Sequence, residues 1–217
     1  MNINKLKAAE RAFLENYPGG FAHPVMLDLA KKHKSGKMTA LARESFAKEN
    51  FSDSVEIVEN MVKVVSGSSM VSLFEKPKFR DFARSLTHTG KEKLSNGLYE
   101  FLHGDEESGF ESLVDILQKG KLAKWPLVTA CPAYFRPTLE VFIKPTTVKN
   151  VIRFFEIEEL EYKPTPTYLF YKKYRAIINK MKKEVDKSLS PDNAHFSGFL
   201  MMVMGWPGGN KPIIMVQ

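Results

Sequence analysis

The sequence predicts a mostly α-helical, bundle-like domain broken by one short proline-rich extended crossover. Three observations predict it. Apolar residues recur three and four apart through most of the 217 residues, the period of a helix that buries one face. Runs with strand character are short and bounded by breakers. Prolines 126, 132, 137 and 145 cluster between two long helical patterns, each removing a backbone donor and pushing the residue before it toward extended geometry. There is no internal repeat, so residues 1–217 read as a single domain. It divides into a helical layer over 1–120 and a second over 121–217 that holds the crossover and the C-terminal helices.

Taken in order, Leu6, Ala9, Phe13 and Leu14 form the first helical stripe, which stops before the turn Tyr17-Pro-Gly-Gly20. Pro24 suits a first helical position ahead of Val25, Met26 and Leu29. Met38, Leu41, Ala42 and Phe46 continue a stripe to about Asn50. Ser52 or Asp53 caps the next segment, where Val55, Val58, Met61, Val62 and Val65 favour helix over strand because their spacing is not two. Leu94, Leu98, Phe101 and Leu102, then Phe110, Leu113, Val114 and Leu117, predict two helices joined by His103-Gly-Asp105, a tight helical hairpin.

The crossover runs from Lys124-Trp-Pro to Phe142-Ile-Lys-Pro145, with Glu140-Val-Phe-Ile-Lys144 as a short extended piece. A helix follows with Thr146 or Thr147 as its N-cap. Lys163-Pro-Thr-Pro166 is a stiff linker into the longest helix, whose apolar face is Leu169, Phe170, Tyr174, Ile177, Ile178, Met181 and Val185. Ser190-Pro-Asp192 predicts the last helix start, with Ser190 as cap. Phe196, Phe199, Leu200, Val203 and Met204 make that helix apolar nearly all round, placing it in the core or in a homodimer interface. Ile213-Ile-Met-Val216 reads as a short apolar tail that packs as an edge strand or frays, and is the other candidate for self-association.

Composition narrows the class. Hydrophobic residues make up 43% and charged residues 26%, with a net charge of +7, the profile of a mildly basic globular protein. The one cysteine, Cys131, rules out an internal disulfide and suits a reducing compartment. There is no signal-peptide pattern and no apolar run of the roughly 18 residues a membrane span needs, so a cytoplasmic protein with no membrane association is expected. The five histidines are scattered, and no dinucleotide, P-loop or nucleophile-elbow motif is present. The sequence therefore points to no metal, no cofactor and no catalytic set. Asp192 and His195, three apart, are spaced to hydrogen-bond without any catalytic role.

Three binding candidates remain. The segment Lys172, Lys173, Arg175, Lys180, Lys183 is the most basic in the chain and can track phosphates. Lys76, Lys78 and Arg80 interleave with Phe74, Phe79 and Phe82, a pattern that can hold a nucleic-acid backbone and stack its bases. The helix start at Thr146 and Thr147, with Arg136, Lys144 and Lys149 around it, can take a small anion. Each pattern also arises on an ordinary solvated helix. The expected function is a non-enzymatic helical binding module with a basic face, engaging nucleic acid or an acidic protein. The alternatives are a small-anion-binding protein or enzyme using the Thr146 helix start, and a homodimeric structural protein.

The strings Trp125-Pro-Leu, Tyr134-Phe-Arg-Pro137, Phe142-Ile-Lys-Pro-Thr-Thr147 and His195-Phe-Ser-Gly-Phe-Leu-Met-Met202 resemble a pattern found in bacterial proteins of unassigned function. The resemblance covers roughly the last ninety residues. It implies a bacterial cytosolic protein and carries no activity and no catalytic residues.

Overall fold

The computed structural model describes residues 1–33 and 35–205. These fold into eleven α-helices with three short 3-10 turns, and no strand occurs among the described residues. The expected all-helical class is what forms. The predicted tail Ile213–Val216 lies outside the described residues.

The first half follows its local signals closely. Helix α1 (Ile3–Asn16) buries Leu6, Ala9 and Phe13. It ends in a turn where Gly19 and Gly20 take positive φ. A side chain at Gly20 would collide with Ser188, so the turn is also the point where the two ends of the chain close on each other. Helix α2 (Pro24–His33) starts on the expected proline. Helix α3 (Ser35–Ser45) is shorter than its stripe, because a 3-10 turn over Lys48–Ser52 takes its last residues. Asp53 caps α4 (Ser54–Gly67), its carboxylate accepting from the amides of Val55 and Glu56. Thr87 and Asp105 cap α6 (His88–His103) and α7 (Glu106–Lys119), each side chain accepting from an amide three residues on. Such a cap contributes about 1 kcal/mol. Helix α5 (Glu75–Ser85) precedes this hairpin and packs on α4.

The crossover departs from expectation. Residues Trp125–Phe135 form a helix, α8, with Pro132 inside it. Pro126 sits in the first turn, where an amide has no helical partner to lose. Pro132 removes one bond and costs a few kcal/mol by propensity alone. Burial offsets this: Trp125, Leu127, Val128, Ala130, Cys131 and Tyr134 are all 4% exposed or less. Trp125 donates its Nε1–H to Lys163 O at 2.8 Å. Helix α8 is thus the core of the molecule, flanked by α3, α4 and α7.

Within the crossover, residues 136–144 are irregular. The expected extended piece Glu140–Lys144 is non-helical but pairs with no strand. Its backbone is satisfied by side chains instead. Asn193 Nδ2 donates to Glu140 O at 2.9 Å, Asn179 Nδ2 to Leu139 O at 2.8 Å and Lys182 Nζ to Thr138 O at 2.7 Å, while Thr129 Oγ1 accepts from Ile143 N at 3.1 Å. A strand needs a neighbour to bond; this segment has four polar side chains in that role.

Two caps also differ. Helix α9 (Pro145–Phe154) begins on Pro145 with Lys144 as its N-cap, so Thr146 and Thr147 lie within the first turn. Helix α11 (Asn193–Met204) is capped by Asp192, which accepts from His195 N, not by Ser190. In both places the residue that caps is set by where the preceding segment docks. Helix α11 packs on α9, α1 and α10 (Tyr168–Lys183) and buries Phe196, Phe199, Leu200 and Val203. Buried apolar residues from Leu6 to Val203 belong to one continuous core that joins both predicted layers.

No helix among the described residues is long and apolar enough to cross a membrane.

Candidate functional site

Helix α10 has two chemically different sides. At 100° per residue, Leu169, Lys172, Lys173, Ala176, Lys180 and Lys183 fall within about a 100° arc, and all six are exposed. Tyr168, Phe170, Tyr171, Tyr174, Ile178 and Met181 point inward and are buried. None of the four lysines lies within ion-pair distance of a carboxylate among the described residues. Lys172 Nζ stands 5.7 Å from the centroid of the Tyr168 ring.

Arg175 leaves this set. It turns inward, 12% exposed, and bridges two carboxylates: Nη1 to Glu140 Oε2 at 2.7 Å and Nη2 to Glu106 Oε2 at 2.6 Å. Tyr171 OH donates to Glu140 Oε2 at 2.7 Å and Tyr168 OH to Glu106 Oε2 at 3.0 Å. Arg136 closes the group, its Nη2 at 3.2 Å from Glu140 Oε1 while donating to Phe101 O at 3.1 Å. Glu140 is completely buried. Burial opposes the Arg175 charge, but the hydrogen bonds it donates to Glu106 and the field of Glu140 overcome it and hold the guanidinium more firmly protonated than usual. The hydrogen bond from Arg175 likewise holds Glu106 below the usual carboxylate range. Burial, and then the bond to Glu106, pushes the Tyr168 phenol up to about 12.

Perturbed groups of this kind mark either an active site or a structural ion network. The cavity with Glu140, Asp192 and Tyr134 in its wall has a volume of about 20 Å³, room for about one water molecule. That cavity meets the network at Glu140 alone; Tyr168, on its other side, borders a separate open depression beside Glu111 and Asp115. The network pins the inner side of α10 to α7 and to the 137–144 segment, and so fixes the orientation of the lysine face outside.

No family model, curated protein or solved structure matches this chain. Its residues alone carry the functional reading.

Several of the other candidate residues are engaged by neighbours. Arg136 is held by Glu140 and Phe101, while Lys144 and Thr146 are exposed. Thr147 is buried, and Lys149 Nζ lies 5.0 Å from the centroid of the Tyr162 ring. On α5, Lys78 and Arg80 are exposed and Lys76 half-buried. Arg80 pairs with Asp81 at 2.8 Å. Of the three interleaved aromatics, Phe79 is buried and Phe82 half-buried against Gly120, so only Phe74 keeps a free ring face. Helix α5 packs on α4, whereas α10 packs on α7 and α11.

Cys131 is buried, and burial pushes its thiol up to about 12, so it carries no thiolate at neutral pH. Among the described residues no three His, Cys, Asp or Glu side chains stand close enough to hold a metal ion.

Sequence reasoning sets Glu106 aside as one of an exposed acid cluster with Glu107 and Glu111, and does not single out Glu140. Glu140 is one acid in an otherwise apolar stretch, four residues after Arg136, and that isolation was the available signal. Glu106 differs from Glu107 and Glu111 only in meeting Arg175 and Tyr168, partners 69 and 62 residues away.

His195 and Asp192 form a second, smaller pair. His195 Nδ1 lies 2.9 Å from Asp192 Oδ1, and Phe21 covers the imidazole edge-on at 5.0 Å. Contact with Asp192 raises the His195 pKa above its ordinary 6.5, against the opposing effect of burial. A raised folded-state value means that this stabilisation is fully present below 6.5 and is lost as pH rises through the folded value. The stability difference between wild type and His195→Gln is therefore expected to shrink with rising pH across that window. Denaturant melts at several pH values check this, and a difference independent of pH would refute it.

Proposed function

We propose that the protein is a non-enzymatic binding module that holds a nucleic-acid backbone with the outer face of α10. One observation supports this above the others. Lys172, Lys173, Lys180 and Lys183 share a single exposed arc with no carboxylate partner among the described residues. From Lys172 to Lys183 they span about 16 Å of helix axis at 1.5 Å per residue. A solvated helix that merely needs solubility commonly intersperses acids and bases, and here the acids are absent from the arc. The nearest arginine is withdrawn into the core. That leaves lysines, which bind phosphates as mobile point charges and without base readout. Sequence-independent binding is the expected mode.

The test is fluorescence anisotropy with a labelled duplex over a range of salt. Four phosphate contacts predict a log–log slope of about −3.6 for duplex DNA. The quadruple variant Lys172→Glu, Lys173→Glu, Lys180→Glu, Lys183→Glu should abolish binding at low salt, with the melting temperature little changed because all four side chains are exposed. No binding by the wild type at low salt, or binding unchanged in the variant, would overturn the proposal. Salt-sensitive capture of an acidic protein by the same four lysines, without nucleic-acid affinity, would replace the partner while keeping the face.

A further inference from the structure

Leu73 and Phe74 are 78% and 83% exposed, the most exposed large apolar side chains among the described residues. Side chains so exposed stand clear of their neighbours. They form a prong at the entrance to α5, not the wall of a groove. The prong is held firmly. Val71, two residues before Leu73, is buried at 3% exposure. Ser68 Oγ, which pairs with Tyr134 OH at 3.0 Å, accepts from the amides of Met70 and Val71. Ser72 Oγ accepts from Phe74 N at 3.2 Å, and Ser72 O accepts from Glu75 N and Lys76 N. A segment ordered in advance loses little conformational entropy on docking.

The charges beside the prong leave a surplus of one sign. Glu75 is neutralised by Lys124 Nζ at 3.2 Å and Asp81 by Arg80 Nε at 2.8 Å. Lys76 and Lys78 make no ion pair among the described residues. Phe74 already has helical backbone angles, so Lys78, four residues on, shares its side of α5. Lys78 is exposed, as is Pro77. Lys76 is half-buried, with a stem long enough to carry its ammonium to the surface. Two protruding apolar side chains with unpaired bases beside them complement a surface that is anionic outside and apolar within. Base stacking would use the Phe74 ring but leave Leu73 without a role, since leucine has no π-face. A lipid bilayer takes up both.

We infer that Leu73 and Phe74 insert into the boundary between headgroups and acyl chains of an anionic lipid bilayer, with Lys76 and Lys78 against the headgroups. A small apolar anchor holds a membrane only marginally, and a basic patch supplies the second signal. The contact is therefore peripheral and reversible. The expectation of no membrane association came from the lack of a spanning segment, and a surface contact needs none. Nor does it need the lysine arc of α10 or a nucleic acid, so it stands or falls separately from the function proposed above.

Co-sedimentation of the whole chain with vesicles tests it, using phosphatidylcholine mixed with phosphatidylserine beside phosphatidylcholine alone. The wild type is expected to bind the anionic vesicles and scarcely the neutral ones. Leu73→Ser with Phe74→Ser should weaken binding at least tenfold, from the lost apolar burial, with circular dichroism unchanged because both residues are exposed. Lys76→Gln with Lys78→Gln should weaken it about twentyfold on anionic vesicles, each lysine near the surface being worth about a factor of five. The lysines of α10 can also attract an anionic surface, so insertion is read directly. Phe74→Trp emission should shift to the blue on anionic vesicles and be quenched by lipids brominated in the acyl chain, with the wild type as baseline for Trp125 and Trp206. No binding by the wild type, binding indifferent to the Leu73 and Phe74 changes, or no quenching by brominated chains overturns the inference. So does Phe74-dependent self-association, or Phe74-dependent binding to a single-stranded oligonucleotide, by a chain that ignores vesicles.

Discussion

Arg175→Ala is expected to lower the melting temperature by about 10 °C. The guanidinium bridges Glu140, which is completely buried, and Glu106, at 2.7 and 2.6 Å. Removing one member of a buried ion network costs about 3–5 kcal/mol, because the other charge is left without compensation. For a chain of this size each kcal/mol shifts the midpoint by about 2–4 °C. Arg136 stays 3.2 Å from Glu140 Oε1, which is why the variant should still fold.

The origin of the loss can be separated from simple packing. Arg175→Met combined with Glu140→Gln removes the charge and its need for a partner together. The pair should recover most of the stability, since apolar or neutral replacements of buried ion pairs are often neutral. Calorimetry on the single and double variants distinguishes the two. A double variant as unstable as Arg175→Ala would mean that shape, not charge, is what Arg175 supplies. Because the network orients α10, Arg175→Ala should also weaken the proposed nucleic-acid binding, although Arg175 touches no ligand.

Gly109→Ala should be similarly damaging for a different reason. Gly109 lies where α7 crosses α6, and an added Cβ would sit 2.7 Å from Glu100 C and Phe101 Cα and closer still to Phe101 N. Those atoms are backbone and cannot swing aside. Alanine gains up to about 1 kcal/mol of helix propensity over glycine, while overpacking typically costs about 1–3 kcal/mol and more against a rigid neighbour. The clash should win. Parting the two helices would also pull Phe101 off Phe110 and Tyr171, rings now 5.6 and 5.5 Å apart. A loss of about 3 kcal/mol by denaturant melts is expected. Gly36→Ala is the control: a Cβ there meets nothing within 4 Å, so propensity alone acts and stability should rise slightly. A neutral Gly109→Ala would show that the hairpin can open without cost.

These two sites show where local reading of the chain stops. The stripes of α1, α4, α6 and α7 are visible as residues three and four apart, and Asp53 and Pro24 mark helix starts, because each signal acts within one or two turns of its own segment. The hairpin of α6 and α7 follows from the turn signal Gly104-Asp105 between its two stripes. By contrast, helix α8 runs through Pro132 against every local rule. Its stability comes from neighbours distant in sequence that bury Trp125, Cys131 and Tyr134. The residues expected to cap α9 and α11 lost that role to Lys144 and Asp192, since the incoming chain is positioned by contacts with α8 and α10.

Helix α10 makes the division plainest. Its sequence shows a basic, amphipathic helix and nothing more, with Arg175 among the lysines. Helical period alone places Lys172, Lys173, Lys180 and Lys183 within one arc. Whether Arg175 joins a partner outside or a carboxylate inside depends on Glu106 and Glu140, which lie 69 and 35 residues away. A charge is buried only where a countercharge meets it, and such a meeting is a property of the folded chain.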